Sequence, residues 1–302
     1  MEVETPADMT SETPILLRVN QLSGWIDEDV GDSGKNITTS ALIKAVSFQI
    51  RSSQTVALVG ESGSGKSITA LSILRLLEEH TPIQTSGSIL FDGEDLMRQP
   101  LERIRRIRGN RIAMIFQEPM TSLNPLYTIG NQIGESLGLH RTLTRKDITR
   151  ETLRLLERTG IDQPGRRLNH YPHQLSGGQR QRVMIAIALA CRHVLLIADE
   201  PTTALDVSIQ AKILSLIEDI KGEYQMAMLL ISHDLPLVKH FADYIYIMRD
   251  GAIIEHGVPQ KILQAPEHGY TRQLIEAIPP RRTRKTASEK TILNIENLSC
   301  SF

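Results

Sequence analysis

Residues 15–23, ILLRVNQLS, alternate apolar and polar positions with the two-residue period of a half-buried strand. ALIKAVSFQI and TVALVG add two β-rich runs separated by the turn-like RSSQ, so the chain opens as a β-rich region. After GESGSGKS the period changes. Ala70, Leu71, Leu74 and Leu77 recur at helical spacing, which predicts a strand, a glycine loop and a helix in that order. SGSILFDGEDL reads as a strand and turn, and RIAMIF as another buried strand. From about Pro119 to Arg192 the pattern is mostly helical, with RETLRLLERTG closing on a glycine stop and RVMIAIALACR long and apolar.

VLLIADE resumes the strands, SIQAKILSLIEDIKGEY crosses as a helix, and MAMLLISHD returns as a strand. Strands alternating with helices imply parallel pairing with both faces covered, hence an α/β protein whose helical subdomain, at about 119–192, is inserted into a sheet domain. YIYIMRDGAIIEHG is two short runs about Asp250 and Gly251, a hairpin signal. PPRRTRKTASEK has no apolar period and five basic residues, so 281–290 is expected to be a solvated linker. Residues 1–14 are polar, with two prolines, and read as a flexible tail. The stretch TILNIENLSCSF, 291–302, repeats the opening: Ile292 and Leu293 fall on Leu16 and Leu17, Ile295 on Val19, and Leu298 and Ser299 on Leu22 and Ser23.

Composition narrows the function classes. With 34 basic and 35 acidic residues the formal charge is -1, so there is no global positive field to hold nucleic acid or an anionic bilayer. Cys191 and Cys300 are too few for a disulfide framework or a cysteine-ligated cluster. No run approaches the roughly eighteen apolar residues of a membrane span, so a membrane role would go through a partner. Apart from the linker, RIRRIRGNR is the basic cluster, expected on a solvated helical face.

Two segments carry chemistry. GESGSGKS, from Gly60 through Glu61, Ser62, Gly63, Ser64, Gly65 and Lys66 to Ser67, satisfies the phosphate-loop spacing between a strand and a helix. Its glycines let backbone N–H groups turn onto a phosphate at a helix N-terminus; Lys66 would bridge the β- and γ-phosphates, and Ser67 would bind Mg²⁺. VLLIADE delivers Asp199 and Glu200 to a sheet edge, where Asp199 would serve the Mg²⁺ shell and Glu200 would orient a water and take its proton. LSGGQRQR, Leu175 to Arg182, is a second glycine turn before a helix, either a flexible cap or a second anion site.

Together with Gln117 in MIFQEP, Asp206 in TTALD and His233 in LLISHD, these motifs resemble the ATPase subunits of ABC transporters over about residues 15–280. The resemblance implies a P-loop NTPase of the ABC-ATPase fold, with a β-rich N-terminal subdomain, a parallel-sheet core and an inserted helical subdomain. It implies ATP and Mg²⁺, and a second ATPase domain, paralogue or self, facing the first. Ser176, Gly177, Gly178 and Gln179 would then grip the γ-phosphate held by the partner, and Asp206 would lie at the seam. Gln117 would touch Mg²⁺ and the water, and His233 the γ-phosphate. Trp25 would stack on adenine, although Phe302 of the terminal repeat falls on Ile26, so Trp25 is displaced by one residue.

MIFQEPMTSLNPLYTIGNQI, YPHQLSGGQRQRVMIAIALACR and EHGYTRQLIEAIP resemble the bacterial peptide-import branch: dipeptide, oligopeptide, nickel, glutathione and Yej-type importers. Gly269 departs from the His-Pro-Tyr usual there. In that branch some chains fuse two ATPase domains, so 291–302 would begin a truncated second repeat. The implied partners are two transmembrane permease subunits and, indirectly, a periplasmic solute-binding protein, with no nucleic acid, at the cytoplasmic face of the inner membrane. Two alternatives stand beside this: a soluble ABC ATPase of DNA or ribosome metabolism, and a truncated ATP-binding product without transport activity.

Overall fold

The computed structural model describes residues 13–29, 37–78, 81–117, 122–191, 193–201 and 207–278. Asp206, the linker 281–290 and the repeat-like 291–302 lie outside these. Strand β1 (Ile15–Asp29) pairs antiparallel with β2 (Ile37–Arg51) on one side and β4 (Ile83–Phe91) on the other. A short β5 (Glu94–Asp95) completes a sheet ordered β2-β1-β4-β5. The local alternation that predicts β1 ends near Ser23. Pairing with β2 continues to Asp29, because cross-strand bonds extend a strand beyond the reach of its own pattern.

The second sheet is ordered β10-β9-β3-β8-β7-β6. Its members β3 (Thr55–Val59), β6 (Ile112–Ile115), β7 (Leu195–Asp199), β8 (Ala227–Ser232) and β9 (Tyr244–Arg249) run parallel, and β10 (Ala252–Gly257) closes one edge antiparallel. TVALV, LLIAD and AMLLIS are buried at every position, as parallel strands covered on both faces must be. Alternate residues of β3 serve two cores. Val56 and Leu58 pack with the antiparallel sheet, through Leu17, Val46 and Phe91, whereas Ala57 and Val59 pack on the helical side, with Ile185 and Ile217.

Helix α1 (Lys66–Ile73) follows β3 and the glycine loop. Its predicted apolar spacing runs on to Leu77, but the helix stops at Ile73 and Arg75 turns with φ 53°. Leu74 and Leu77 are nonetheless buried, so burial outlasts the helix that suggested it. The basic cluster sits on α2 (Leu101–Ile107) and the turn after it. Ile104 and Ile107 face the core, Arg103 pairs with Glu94 at 2.9 Å, Arg111 with Asp92 at 2.9 Å, and Arg108 donates to the carbonyls of Leu74 and Arg75 at 2.9 Å each. The expected solvated face therefore holds for Arg105 and Arg106, while Arg108 turns inward to satisfy the carbonyls left bare after α1.

Between β6 and β7 the described chain is helical: α3 (Ile129–His140), α4 (Arg145–Arg158), α5 (Pro164–Arg167) and α6 (Gly177–Ala188). Thr128 and Thr144 cap α3 and α4 by accepting from Asn131 and Asp147 N–H. Gly160, at φ +72°, ends α4: its N–H donates to Glu157 O and that of Ile161 to Leu156 O, the pair of reversed bonds that a left-handed terminal residue allows. Leu156, Ile133, Leu137 and Val183 bind these helices into the core of the parallel sheet. After β7 come α7 (Val207–Tyr224), α8 (Leu235–Phe241), α9 (Pro259–Gln264) and α10 (Gly269–Glu276). Among the described residues no helix is long and apolar enough to cross a membrane.

Candidate functional site

The parallel strands deliver their carboxyl ends to one edge, where open α/β sheets bind ligands. β3 ends at Val59 and passes into the glycine loop. Gly65 has φ +100°, and a Cβ there would lie 2.8 Å from both Ile43 Cγ2 and Met248 Cε, so position and backbone both demand glycine. A Cβ on Gly60 would come within 2.1 Å of Met248 O. The turn between β9 and β10 fastens the loop from the side: Gly251 N–H donates to Ser64 O at 3.1 Å, and Lys44 N–H donates to Gly251 O at 2.7 Å.

Lys66 is buried, with its ammonium donating to Gly60 O at 2.8 Å, Glu61 O at 2.7 Å and Ser64 Oγ at 3.4 Å. Burial lowers its pKa, opposed by the carboxylates of Glu200, Asp199 and Glu61. The loop thus keeps a desolvated cation at its centre.

Asp199 closes β7 and is 3% exposed. Burial pushes its carboxyl up to about 6 and the charge of Glu200 adds to this, while a hydrogen bond from Ser67 and the charge of Lys66 oppose it. Its Oδ1 is buried without a hydrogen-bond partner among the described residues, an unmet acceptor beside the phosphate loop. Ser67, Gln117 and Asp199 line one cleft of about 440 Å³ with Leu71, Met114, Phe116 and Ser122. A hydroxyl, an amide and a carboxylate with a spare oxygen form a hard-oxygen set, which fits Mg²⁺. The three residues predicted for the metal are brought together.

Glu200 is the next residue, held at φ 44° by its N–H donating to Ile231 O at 3.0 Å. A non-glycine residue there stores strain, of the order of 1–3 kcal/mol, and such strain clusters at working sites. The carboxylate meets two side chains from neighbouring strand ends. Gln117, just beyond β6, donates to Oε2 at 3.1 Å, and His233, just beyond β8, brings Nδ1 to 3.2 Å from Oε1. His233 is 58% exposed and Glu200 only 10%, so the imidazole forms the outer wall of the pair.

Ser176 to Gln179 open α6. Ser176 Oγ accepts from Gln179 N–H at 3.3 Å, and Gln179 Oε1 accepts from Ser176 N–H at 3.1 Å, a reciprocal capping box. Ser176 and Gly177 are exposed, Gly178 and Gln179 half-exposed, and a Cβ on Gly177 would meet nothing within 4 Å. Buried Gln181, one turn on, donates to Pro201 O and ties this helix to the residue after Glu200. Trp25 is half-buried in β1, opposite Ala41 and Gln84. Its neighbour Gly24 packs on Ile43, the residue that also limits Gly65. Sequence reasoning missed Tyr270, whose phenol reaches the phosphate loop from α10.

A family model described as ABC transporter matches residues 43–203. The chain belongs to the ABC transporter family. It is 52% identical over 255 residues to the peptidoglycan transport ATP-binding protein YejF of Agrobacterium fabrum, covering 84% of this chain and 47% of that protein. It is 47% identical over 249 residues to the probable peptide ABC transporter ATP-binding protein y4tR of Sinorhizobium fredii, covering 82% and 74%. The chain spans about half the length of the YejF proteins it matches. Among solved structures, the ATP-binding cassette MJ0796 bound to ADP and Pi superposes with a TM-score of 0.70 at 26% identity, over 80% of this chain and 98% of that one. The α/β architecture expected from the strand and helix order is that of these ABC cassettes.

Proposed function

We propose that this chain binds and hydrolyses ATP to energise import of peptides or peptide-like solutes across a bacterial inner membrane. The observation that carries the chemistry is the convergence of Gln117 and His233 on Glu200, next to buried Lys66 and Asp199. Side chains fix both oxygens of Glu200 beside the phosphate loop, so it holds a water in line and draws off its proton. Gln117 orients that carboxylate from one side. His233 supports it from the other and supplies a hydrogen bond to the terminal phosphate.

Lys66 exchanges its bonds to the Gly60 and Glu61 carbonyls for phosphate oxygens, and the loop N–H groups up to Ser67, apart from that of Glu61, which Tyr270 holds, cradle the rest. Ser67, Gln117 and Asp199 would hold Mg²⁺; when bound, it neutralises charge on the phosphate oxygens. Trp25 stacks on adenine from the antiparallel sheet.

The exposed turn Ser176 to Gln179 serves a second ATPase domain, paralogue or self. Its support is that Gly177 has open space around it, so nothing among the described residues requires glycine there. The import direction and solute class are supported by the names of relatives such as YejF, y4tR and the glutathione import protein GsiA of Shigella dysenteriae. Two transmembrane permease subunits and, indirectly, a periplasmic solute-binding protein complete the assembly. The chain sits peripherally at its cytoplasmic face, and none of its steps calls for nucleic acid.

Phosphate release by the pure chain tests this reading. Specific activity is expected to rise with protein concentration as paired sites form, and no ATP-dependent release at any concentration contradicts it.

A further inference from the structure

Tyr270 is buried on α10, 209 residues from Glu61, yet its phenol oxygen accepts the Glu61 N–H at 3.0 Å. That N–H belongs to the peptide unit whose carbonyl is Gly60 O, which accepts the Lys66 ammonium at 2.8 Å. One peptide plane is therefore gripped from both ends, by a tyrosine and by the phosphate-loop lysine.

The tyrosine is itself held on three sides. The Arg249 guanidinium lies 4.7 Å from its ring centroid, a cation–π contact. Its own N–H donates to His268 Nδ1 at 3.1 Å. The start of α10 is anchored by Glu255 of β10, whose buried carboxylate accepts from the N–H groups of Glu267 and His268 at 2.8 and 3.0 Å and from Thr271 Oγ1 at 2.5 Å. Burial alone would raise the Glu255 carboxyl; these bonds together outweigh it and keep the group below its ordinary range, hence ionised. Every link from β10 to the loop is thus a directed bond between ordered groups.

We infer that Tyr270 is a positioning residue for nucleotide binding, fixing the 60–61 peptide so that Lys66 is presented to phosphate from a preset loop. This rests on the ATP-binding reading above. Without the phenol, the Glu61 N–H loses its acceptor and the peptide is free to rotate, carrying the Gly60 carbonyl and Lys66 with it. Binding then has to order a loop that the wild type supplies ordered.

The test is Tyr270→Phe in the full 302-residue chain, which keeps the ring and its contact with Arg249. Titration with Mg·ATP is expected to give a Kd raised about fivefold, the effect of one lost bond, with KM raised alike and kcat within twofold. A merely structural role would instead lower the active fraction, and so kcat, at unchanged Kd. Hydrogen exchange at the Glu61 amide is the second reading, expected to quicken at least about tenfold while β3 amides stay protected. An unchanged Kd, or an unchanged Glu61 exchange rate, overturns the inference. A wild type that binds no ATP overturns the functional reading, and the exchange measurement still decides whether Tyr270 holds the peptide.

Discussion

Gly65→Ala is the sharpest test of how the phosphate loop is built. The residue sits at φ +100°, where an L side chain is strained by about 1–2 kcal/mol. Its new methyl would also lie 2.8 Å from Ile43 Cγ2, 2.8 Å from Met248 Cε and 3.0 Å from the backbone oxygen of Leu42. The Met248 methyl can swing away, but Leu42 O cannot move without disturbing β2, where the next residues, Ile43 and Lys44, contact the loop and its clamp. Overpacking of this kind adds about 1–3 kcal/mol, for a total of roughly 2–5 kcal/mol. Gly63→Ala is the internal control, because it shares a positive φ, +80°, with nothing within 4 Å of the added carbon. It should lose only the backbone part, about 1–2 kcal/mol. Urea unfolding of both variants, compared at equal m-values, gives the difference. A Gly65→Ala loss no larger than that of Gly63→Ala would refute the argument that the antiparallel sheet packs against the loop.

Two further predictions concern stability. His193 is buried, and burial alone depresses it to about 4 from an ordinary 6.5; the neutral form is favoured on folding, so its contribution is intact above pH 6.5 and is lost as pH falls towards 4. Between pH 7 and 4.5, His193→Leu should therefore lose about 2 kcal/mol less stability than the wild type in urea titrations, and identical losses would reject the assignment. Gly269→Pro should stabilise by about 0.5–1 kcal/mol, since Gly269 is the first residue of α10, His268 before it is extended at ψ 138°, and a Cβ would meet nothing within 4 Å; a lowered melting temperature would contradict this.

The fully buried strands were legible because their sequences are unmistakable. TVALV, LLIAD and AMLLIS are short apolar runs ended by glycine, acidic or serine positions, which leaves little room for a helix. The phosphate loop was legible for a related reason, since its function is written in contiguous residues. Gln117 and His233 were different. They lie 83 and 33 residues from Glu200 in opposite directions along the chain, and only the strand order β8-β7-β6 sets them side by side. No local period encodes that order, so they were reached through family resemblance alone. Tyr270 lies in the segment EHGYTRQLIEAIP that pointed to the peptide-import branch, but its role had no signal, because a phenol accepting one backbone N–H leaves no pattern in composition or spacing. The end of α1 was misjudged because Leu74 and Leu77 keep the apolar rhythm through a turn that is not helical.

The account stands or falls on the carboxylate that Gln117 and His233 hold between them. Steady-state phosphate release by Glu200→Gln, measured beside its ATP affinity, addresses it most directly. Turnover should fall by at least about a hundredfold, the contribution of a positioned base, with affinity within a few-fold of wild type. Undiminished turnover at normal affinity would place the base elsewhere.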